Sequence, residues 1–379
     1  MVTRHKIDEK KMGYRGSKSD FFMESVKEQR VDGSWWISNI KFPKLMHLRC
    51  TLMGFERNYR IKILSKQLNK LFFSTLRNYD NKLLKLNPWF ITGFTDAEGC
   101  FSIGVTPDAR SKLKWRVSPL FIINLHKKDI AILEAIKNTL IVGKIRTNGI
   151  NKAQYIVETF TDLQLIVDHF DKYPLITAKV SDYLIFKECL KIINLREHLT
   201  EKGLLKIVGL KSSLNWGLSK KLVLAFPNAV PVNRPEYKFK GITEPFWVAG
   251  FTSGDGSFHF RIIDSKIRGL RVTLRYSINL HIREKEVIKG IATFFKLDVP
   301  RINLSETSNI SKTDHLVKYK NIYISKNKVS VIIVKISDIV NIIIPFFEKY
   351  PIVGMKSLDF ADFFEKSSRN NKKKKTFNF

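Results

Sequence analysis

Cysteine is scarce in this chain. There are three, Cys50, Cys100 and Cys189, with no CxxC spacing and no paired histidine spacing beside them. That argues against a disulfide framework and against a structural zinc site, and it fits a reducing compartment. No apolar run approaches the roughly 18 residues of a membrane span, so the chain reads as soluble. No compact apolar segment followed by a small-residue cleavage site marks a signal peptide. Acidic residues are also few: 35 Asp and Glu against 66 Lys and Arg leave a formal charge of +31. Self-repulsion of that size calls for a polyanionic partner, and nucleic acid is the usual one. A ribosomal or merely solubilised protein is the bland alternative.

At 379 residues and 44% hydrophobic content, the chain has room for two domains with real cores. Its wealth of Lys, Ile, Asn and Phe follows AT-rich codons, which points to an AT-rich genome such as an organelle's. Residues 1–85 read as a basic leader, polar to Arg30 and partly helical from Lys62 to Leu86. The rest is a duplication. Pro88 to Ser102 recurs as Pro245 to Phe258, Ile123-Asn124-Leu125-His126 as Ile278-Asn279-Leu280-His281, and His169-Phe170-Asp171-Lys172-Tyr173-Pro174-Leu175 as Phe346-Phe347-Glu348-Lys349-Tyr350-Pro351-Ile352. Three blocks in one order mean two copies of one supersecondary unit. The expected division is 86–202 for the first repeat, 203–241 for a helical segment and linker, 242–368 for the second repeat, and 369–379 for a basic tail. The second copy is longer between its last two blocks, which suggests a loop insertion.

Each unit reads helix, hairpin, helix, hairpin, helix. Pro88 and Pro245 suit the first helical position, and Asn87 is a good N-cap. Gly99 and Gly256 are expected to end these helices in the left-handed C′ manner. The stretch Arg271 to Asn279 alternates polar with apolar, as an antiparallel strand with one wet face does. Helices near Lys128–Leu140 and Glu284–Phe295 should cover the core side.

Gly93 and Ala97 share one face of the first helix, and Gly250 and Gly254 share one face of its counterpart. Small residues at that spacing let two backbones come close, so the two helices are expected to pair. Their C-terminal acids, Glu98 and Asp255, would then lie side by side at the negative ends of two dipoles. A divalent metal removes that repulsion, and carboxylate oxygens suit Mg²⁺. The alternative is a pair of helix-end surface carboxylates.

The segments Ile91-Thr92-Gly93-Phe94-Thr95-Asp96-Ala97-Glu98-Gly99 and Val248-Ala249-Gly250-Phe251-Thr252-Ser253-Gly254-Asp255-Gly256 resemble the LAGLIDADG motif. From about residue 86 to 368 the chain resembles the single-chain, two-repeat LAGLIDADG homing endonucleases, including intron-encoded fungal mitochondrial members. The resemblance implies an α+β fold of two pseudo-symmetric αββαββα repeats, with antiparallel sheets forming a saddle over DNA. It implies a monomeric, metal-dependent endonuclease cutting both strands of a long asymmetric double-stranded target. Glu98 and Asp255 would then bind metal, and Lys179 and Lys356 would act near the scissile phosphates. Taken alone, a lysine after such a block is a solvated helix residue. Asn124 and Asn279 match positions that order water, with His126 and His281 close by or simply in turns. The expected DNA contacts are Arg116, Asn124, Lys144, Arg146, Arg271, Arg275, Asn279, Arg301, Lys318 and Lys320, many of them to phosphate alone; ordinary surface charge is the alternative. Ser253 replaces the Asp96 of the first motif, a departure expected to leave activity but to make the strand cuts unequal. A maturase binding its own group I intron RNA, or a DNA-binding protein that has lost catalysis, are the competing functions. The run Lys372 to Lys375 would be a non-specific electrostatic arm. A mitochondrial location follows from the resemblance and the composition.

Overall fold

The computed structural model describes residues 85–215, 217–265, 269–297 and 321–375, together with a strand pair at Cys50–Thr51 and Gly54–Phe55. The first repeat opens with α1 (Pro88–Glu98). The hairpin β1 (Gly99–Pro107) and β2 (Trp115–His126) follows. Then come α2 (Ile130–Leu140), the hairpin β3 (Lys144–Asn148) and β4 (Lys152–Val157), and α3 (Phe160–Lys172). After α4 (Lys179–Asn194), α5 (Glu201–Ser212) and the short α6 (Lys220–Ala225) lead into irregular chain up to Glu244. The second repeat repeats the order: α7 (Pro245–Asp255), β5 (Gly256–Ser265), β6 (Gly269–His281), α8 (Lys285–Phe294), β7 (Ile322–Ser325) and β8 (Lys328–Ile333). Next, α9 (Ile336–Asp338) runs through a π turn, Ile339–Ile343, into α10 (Ile344–Lys349), and α11 (Lys356–Lys375) closes the described chain. The αββαββα expectation therefore holds in both copies. The expected loop insertion falls between α8 and β7, and that part, like most of the expected leader, lies outside the described residues.

Both sheets are four-stranded and antiparallel, in the order β1-β2-β4-β3 and β5-β6-β8-β7. Their strands alternate because one face packs on helices. On β2, Phe121, Ile123 and Leu125 are buried while Arg116 and Asn124 are exposed. On β6, Leu274, Tyr276, Ile278 and Leu280 are buried and Asn279 is exposed. Ser277, on the otherwise wet face, is buried as well. Each repeat has an aromatic-rich core, with Phe101, Phe121, Phe170 and Phe186 in the first and Phe258, Tyr276, Phe347 and Phe363 in the second. The cores are cross-linked by the motif helices: Ala249 of α7 packs in the first core, and Ala97 of α1 in the second.

The helix starts follow the sequence reading. Pro88 and Pro245 are at the first helical turn, and the Asn87 side chain accepts the Trp89 N–H. The helix ends do not. Gly99 (φ −74°, ψ 155°) and Gly256 (φ −75°, ψ 158°) are extended, so the left-handed cap is corrected. Glycine is needed there because the chain passes straight from helix to strand. A Cβ on Gly99 would come 2.5 Å from Thr95 Cγ2, and one on Gly256 2.4 Å from Thr252 Cγ2.

The repeats diverge at a titratable position of α3. His169 of α3 takes the place that Phe346 holds in the second repeat. The Thr92 hydroxyl lies 3.3 Å from His169 Nε2 and donates to the Tyr173 carbonyl at 2.9 Å. Burial pushes the imidazole down to about 4 from its ordinary 6.5, so it is neutral in the folded protein. The unfolded chain takes up a proton near pH 6.5, the folded one only near pH 4. Stability from this group is therefore complete above pH 6.5 and is lost as pH falls towards 4, by on the order of 2 kcal/mol. Thermal melts from pH 7.5 to 4.5 should show that loss shrinking in His169→Phe, the residue the other repeat uses.

Candidate functional site

The site is assembled where α1 meets α7. A Cβ on Gly93 would lie 2.1 Å from the Trp247 carbonyl oxygen, and one on Gly250 would lie 2.1 Å from the Phe90 carbonyl oxygen. A Cβ on Gly254 would meet Ala97 Cβ at 2.4 Å and Glu98 Cγ at 3.1 Å. The backbones touch, and the side chain of Glu98 lies against the last turn of α7. Glu98 and Asp255, the final residues of the two helices, are both partly buried at the same end of the pair.

Two lysines close this end. The Lys179 ammonium donates to the carbonyls of Thr95 (2.8 Å), Ala97 (3.5 Å) and Gly99 (2.6 Å), the open C-terminal turn of α1. Lys356 does the same for α7, donating to Thr252 at 3.3 Å and to the Gly254 carbonyl. Cations at helix C-termini are favourable. They oppose the repulsion that Glu98 and Asp255 suffer there. Burial pulls the Lys179 ammonium below the ordinary lysine range, opposed by Asp96, Asp255, Cys100 and Glu98 in that order. One ammonium therefore senses the acids of both repeats.

Asp96 has a different role from its neighbour Glu98. It is buried and accepts from the N–H groups of Ile176 (2.8 Å) and Thr177 (3.3 Å), the Thr177 hydroxyl (2.6 Å) and Trp247 Nε1–H (2.8 Å). Burial raises its carboxyl above the usual range, opposed by these hydrogen bonds and Lys179. It joins α1, the start of α4 and α7. The corresponding Ser253 accepts one N–H, from Val353 at 3.2 Å, and gives its proton to the Ala249 carbonyl. The departure in the second motif thus falls on a structural clamp.

The expected nucleic-acid contacts are spread over the open sheet faces. Arg116 and Asn279 are exposed, and Asn124 is exposed with its Oδ1 accepting from Gln154 at 2.8 Å. Lys144 and Arg146 both bind Glu158, Arg146 through both carboxylate oxygens at 2.9 and 3.0 Å. Arg275 is partly buried opposite His259 in the β5–β6 register, with its Nε and the His259 Nδ1 lacking hydrogen-bond partners. Arg271 lies on β6, whereas Arg301, Lys318 and Lys320 are outside the described residues. His126 and His281 are turn residues: each Nδ1 accepts an N–H two residues on, from Lys128 and Arg283. Sequence reasoning missed Cys100, partly buried one step beyond Gly99, and the cross-strand partner His259. Their positions in the strand alternation place them on the open face, and that alternation is the signal that could have found them.

Among the described residues no three His, Cys, Asp or Glu side chains converge, so the donor set at the helix ends is two carboxylates. Mg²⁺ commonly takes one or two carboxylates and completes its shell with water and phosphate oxygens, so these residues fit it. No helix among the described residues is long and apolar enough to cross a membrane.

Comparison with known proteins bears on this arrangement. The family model for the LAGLIDADG endonuclease matches residues 91–190 and 248–366. "Probable intron-encoded endonuclease 3" of Neurospora crassa is 37% identical over 382 residues, covering 95% of this chain; the chain spans 66% of that relative's length, just under two thirds. The crystal structure of the LAGLIDADG meganuclease I-CpaMI bound to uncleaved DNA is similar with a TM-score of 0.68 and 43% identity, over 76% of this chain and 93% of that one. The I-SmaMI LAGLIDADG homing endonuclease bound to cleaved DNA gives a TM-score of 0.68 and 36% identity, over 78% and 93%.

Proposed function

The chain belongs to the LAGLIDADG endonuclease family, and from that premise we propose that it is a site-specific homing endonuclease that hydrolyses both strands of a long, asymmetric double-stranded DNA target. The observation that carries this reading is the pair Glu98 and Asp255, held together at the ends of two helices whose backbones touch. The two open sheet faces flank that point, and the net charge of +31 favours a duplex lying across them.

Glu98 and Asp255 would hold divalent metal, Mg²⁺ by choice. Bound there, the metal would stabilise charge on phosphate oxygens and help generate hydroxide from water. Lys179 and Lys356 hold the helix-end carbonyls fixed and keep positive charge beside the two acids, where developing phosphate charge would be stabilised. The start of α4 is clamped by Asp96, the start of α11 by one bond to Ser253, so the two cuts should differ in rate. The protein would act as a monomer, since both halves of the site come from one chain. Its intron-encoded relative supports expression from, and a place in, an organelle such as the mitochondrion.

The deciding experiment is incubation of purified protein with intron-free organelle DNA, with Mg²⁺ or with EDTA, followed by sequencing of new ends. A single staggered cut that requires Mg²⁺ is expected. No cut, together with tight binding to a cognate group I intron RNA, would favour a maturase instead.

The cations on the sheets lend themselves to a separate measurement. Glu158 engages Lys144 and Arg146, and these two hold its carboxyl below the usual range, Lys144 foremost. Duplex DNA must compete for them. Glu158→Gln should therefore tighten binding severalfold at low salt and steepen the slope of log affinity against log salt by about one for each further phosphate neutralised. An unchanged slope in fluorescence anisotropy titrations would remove Lys144 and Arg146 from the interface.

A further inference from the structure

The two lysines are each the first residue of a long helix, Lys179 of α4 and Lys356 of α11. A helix start leaves N–H groups without partners inside the helix. The residues just before these lysines are Ala178 and Met355, whose side chains cannot accept a hydrogen bond of ordinary strength. The Lys179 N–H is accepted by Thr177 Oγ1 of its own repeat at 3.3 Å, but at both helix starts the N–H just before the lysine is accepted by a carboxylate of the opposite repeat. Glu284 of the second repeat accepts the Ala178 N–H through Oε2 at 3.2 Å. Asp129 of the first repeat accepts the Met355 N–H through Oδ1 at 2.7 Å.

The two contacts are equivalent by the internal repeat. Asp129 follows Asn124-Leu125-His126 at the same offset at which Glu284 follows Asn279-Leu280-His281. Both sit in the short 3₁₀ turn that joins the DNA-facing strand, β2 or β6, to the helix behind it. Both turns are held by the preceding histidine, His126 or His281. Glu284 is buried, with Arg283 Nε 3.5 Å from its other oxygen. The Asp129 contact is tight in its own way: the chain turns at Gly354 with φ +87°, and a Cβ there would lie 2.7 Å from Asp129 Oδ1. A carboxylate at a helix N-terminus is also favoured by the helix dipole.

We propose that Asp129 and Glu284 are reciprocal positioning residues: each fixes the start of the other repeat's helix and so sets the lysine that closes the C-terminal turn of that repeat's motif helix. Glu284 acts on Lys179, and Asp129 acts on Lys356. The two halves of the site are thereby built across the pseudo-two-fold axis, and each lysine is tied to the turn after an interior strand of the half to which it does not belong. This rests on the endonuclease reading and on a role for the lysines.

The test is strand-resolved. A supercoiled plasmid carrying the segment cut in the mapping experiment is cleaved under single-turnover conditions, with each strand's rate followed separately. Lys179→Met and Lys356→Met first define which strand each lysine serves. Glu284→Ala should slow the strand that Lys179→Met slows, and Asp129→Ala the strand that Lys356→Met slows, each by roughly tenfold, as expected for a small displacement of a reacting group. Nicked plasmid should accumulate, opened in opposite strands by the two variants, while DNA affinity by anisotropy stays within about twofold of the parent's, since neither carboxylate attracts phosphate. Glu284→Gln keeps a carbonyl acceptor for the Ala178 N–H and should recover most of the rate. Equal slowing of both strands, or slowing of the strand served by the lysine of the residue's own repeat, would overturn the proposal. So would a Gln variant as slow as the Ala variant, which would assign the effect to charge alone. If Glu284→Ala does not fold, Asp129→Ala and Glu284→Gln decide the matter by the same criteria. Should Lys179→Met and Lys356→Met leave both strands unaffected, the lysine reading fails by itself, independently of these carboxylates.

Discussion

Glu98→Gln should lose double-strand cleavage by on the order of a thousandfold or more, because charge stabilisation supplied by a bound metal is worth several kcal/mol. Asp255→Asn should do the same. Duplex affinity should stay close to that of the parent protein, since the cations on the sheets are untouched. The variants should also be no less stable. Each acid is the last residue of its helix, facing the negative end of the dipole, with the other acid close by across Gly254. Removing one charge relieves both repulsions, and up to about 1 kcal/mol of stabilisation is expected from the dipole alone. Loss of activity with an unchanged or raised melting temperature separates a functional acid from a structural one. Full cleavage by either variant would end its assignment as a metal ligand. The outcome for Asp96→Asn should be the reverse in kind: three of its four hydrogen-bond donors are backbone or indole N–H groups, gathered from the start of α4 and from α7, so stability should fall first.

Gly93→Ala and Gly250→Ala should each prevent stable folding or destabilise by more than the roughly 1–3 kcal/mol typical of an overpacked core. The added methyl would sit 2.1 Å from a backbone carbonyl oxygen of the facing helix, and backbone at the centre of two cores has nowhere to go. Gly254→Ala meets Ala97 Cβ and Glu98 Cγ, so its cost should be smaller, but it should displace the acid and lower cleavage. Gly149→Ala is the control: nothing lies within 4 Å, and only its φ of +69° opposes alanine. That costs on the order of 1 kcal/mol. Chemical denaturation of the four variants should rank them in that order. Equal, small effects at Gly93 and Gly149 would mean that the helices do not pack backbone to backbone.

Much of this molecule is legible in the chain itself. Three sequence blocks repeat in one order, and the αββαββα repeat follows from them, because hydrophobic periodicity and Pro–Gly punctuation are local properties. The alternation of Leu274, Tyr276 and Ile278 with Thr273 and Arg275 assigns the faces of β6 correctly. The left-handed caps expected at Gly99 and Gly256 do not form, because glycine in a helix-to-strand passage answers to a neighbouring threonine and not to its own φ. Ser277 belongs to a wet strand face by its alternation, yet it is buried by what surrounds it in space.

The sequence by itself determined the duplicated unit, the basic charge and the pair of terminal acids. Each of these is written in residue type and spacing along one chain. Only the tertiary structure decided that Asp96 clamps α1 to α7 and to the start of α4, two residues before the helix-end acid Glu98. It also decided that Lys179 and Lys356 close the C-terminal turns of helices some 80 to 100 positions away in sequence, and that Glu284 and Asp129 reach 106 and 226 positions across the repeats to accept the N–H groups just before those lysines. Hydrogen bonds to backbone atoms carry no residue signature at the backbone end. A partner chosen by folding rather than by spacing therefore leaves nothing in a single sequence to read.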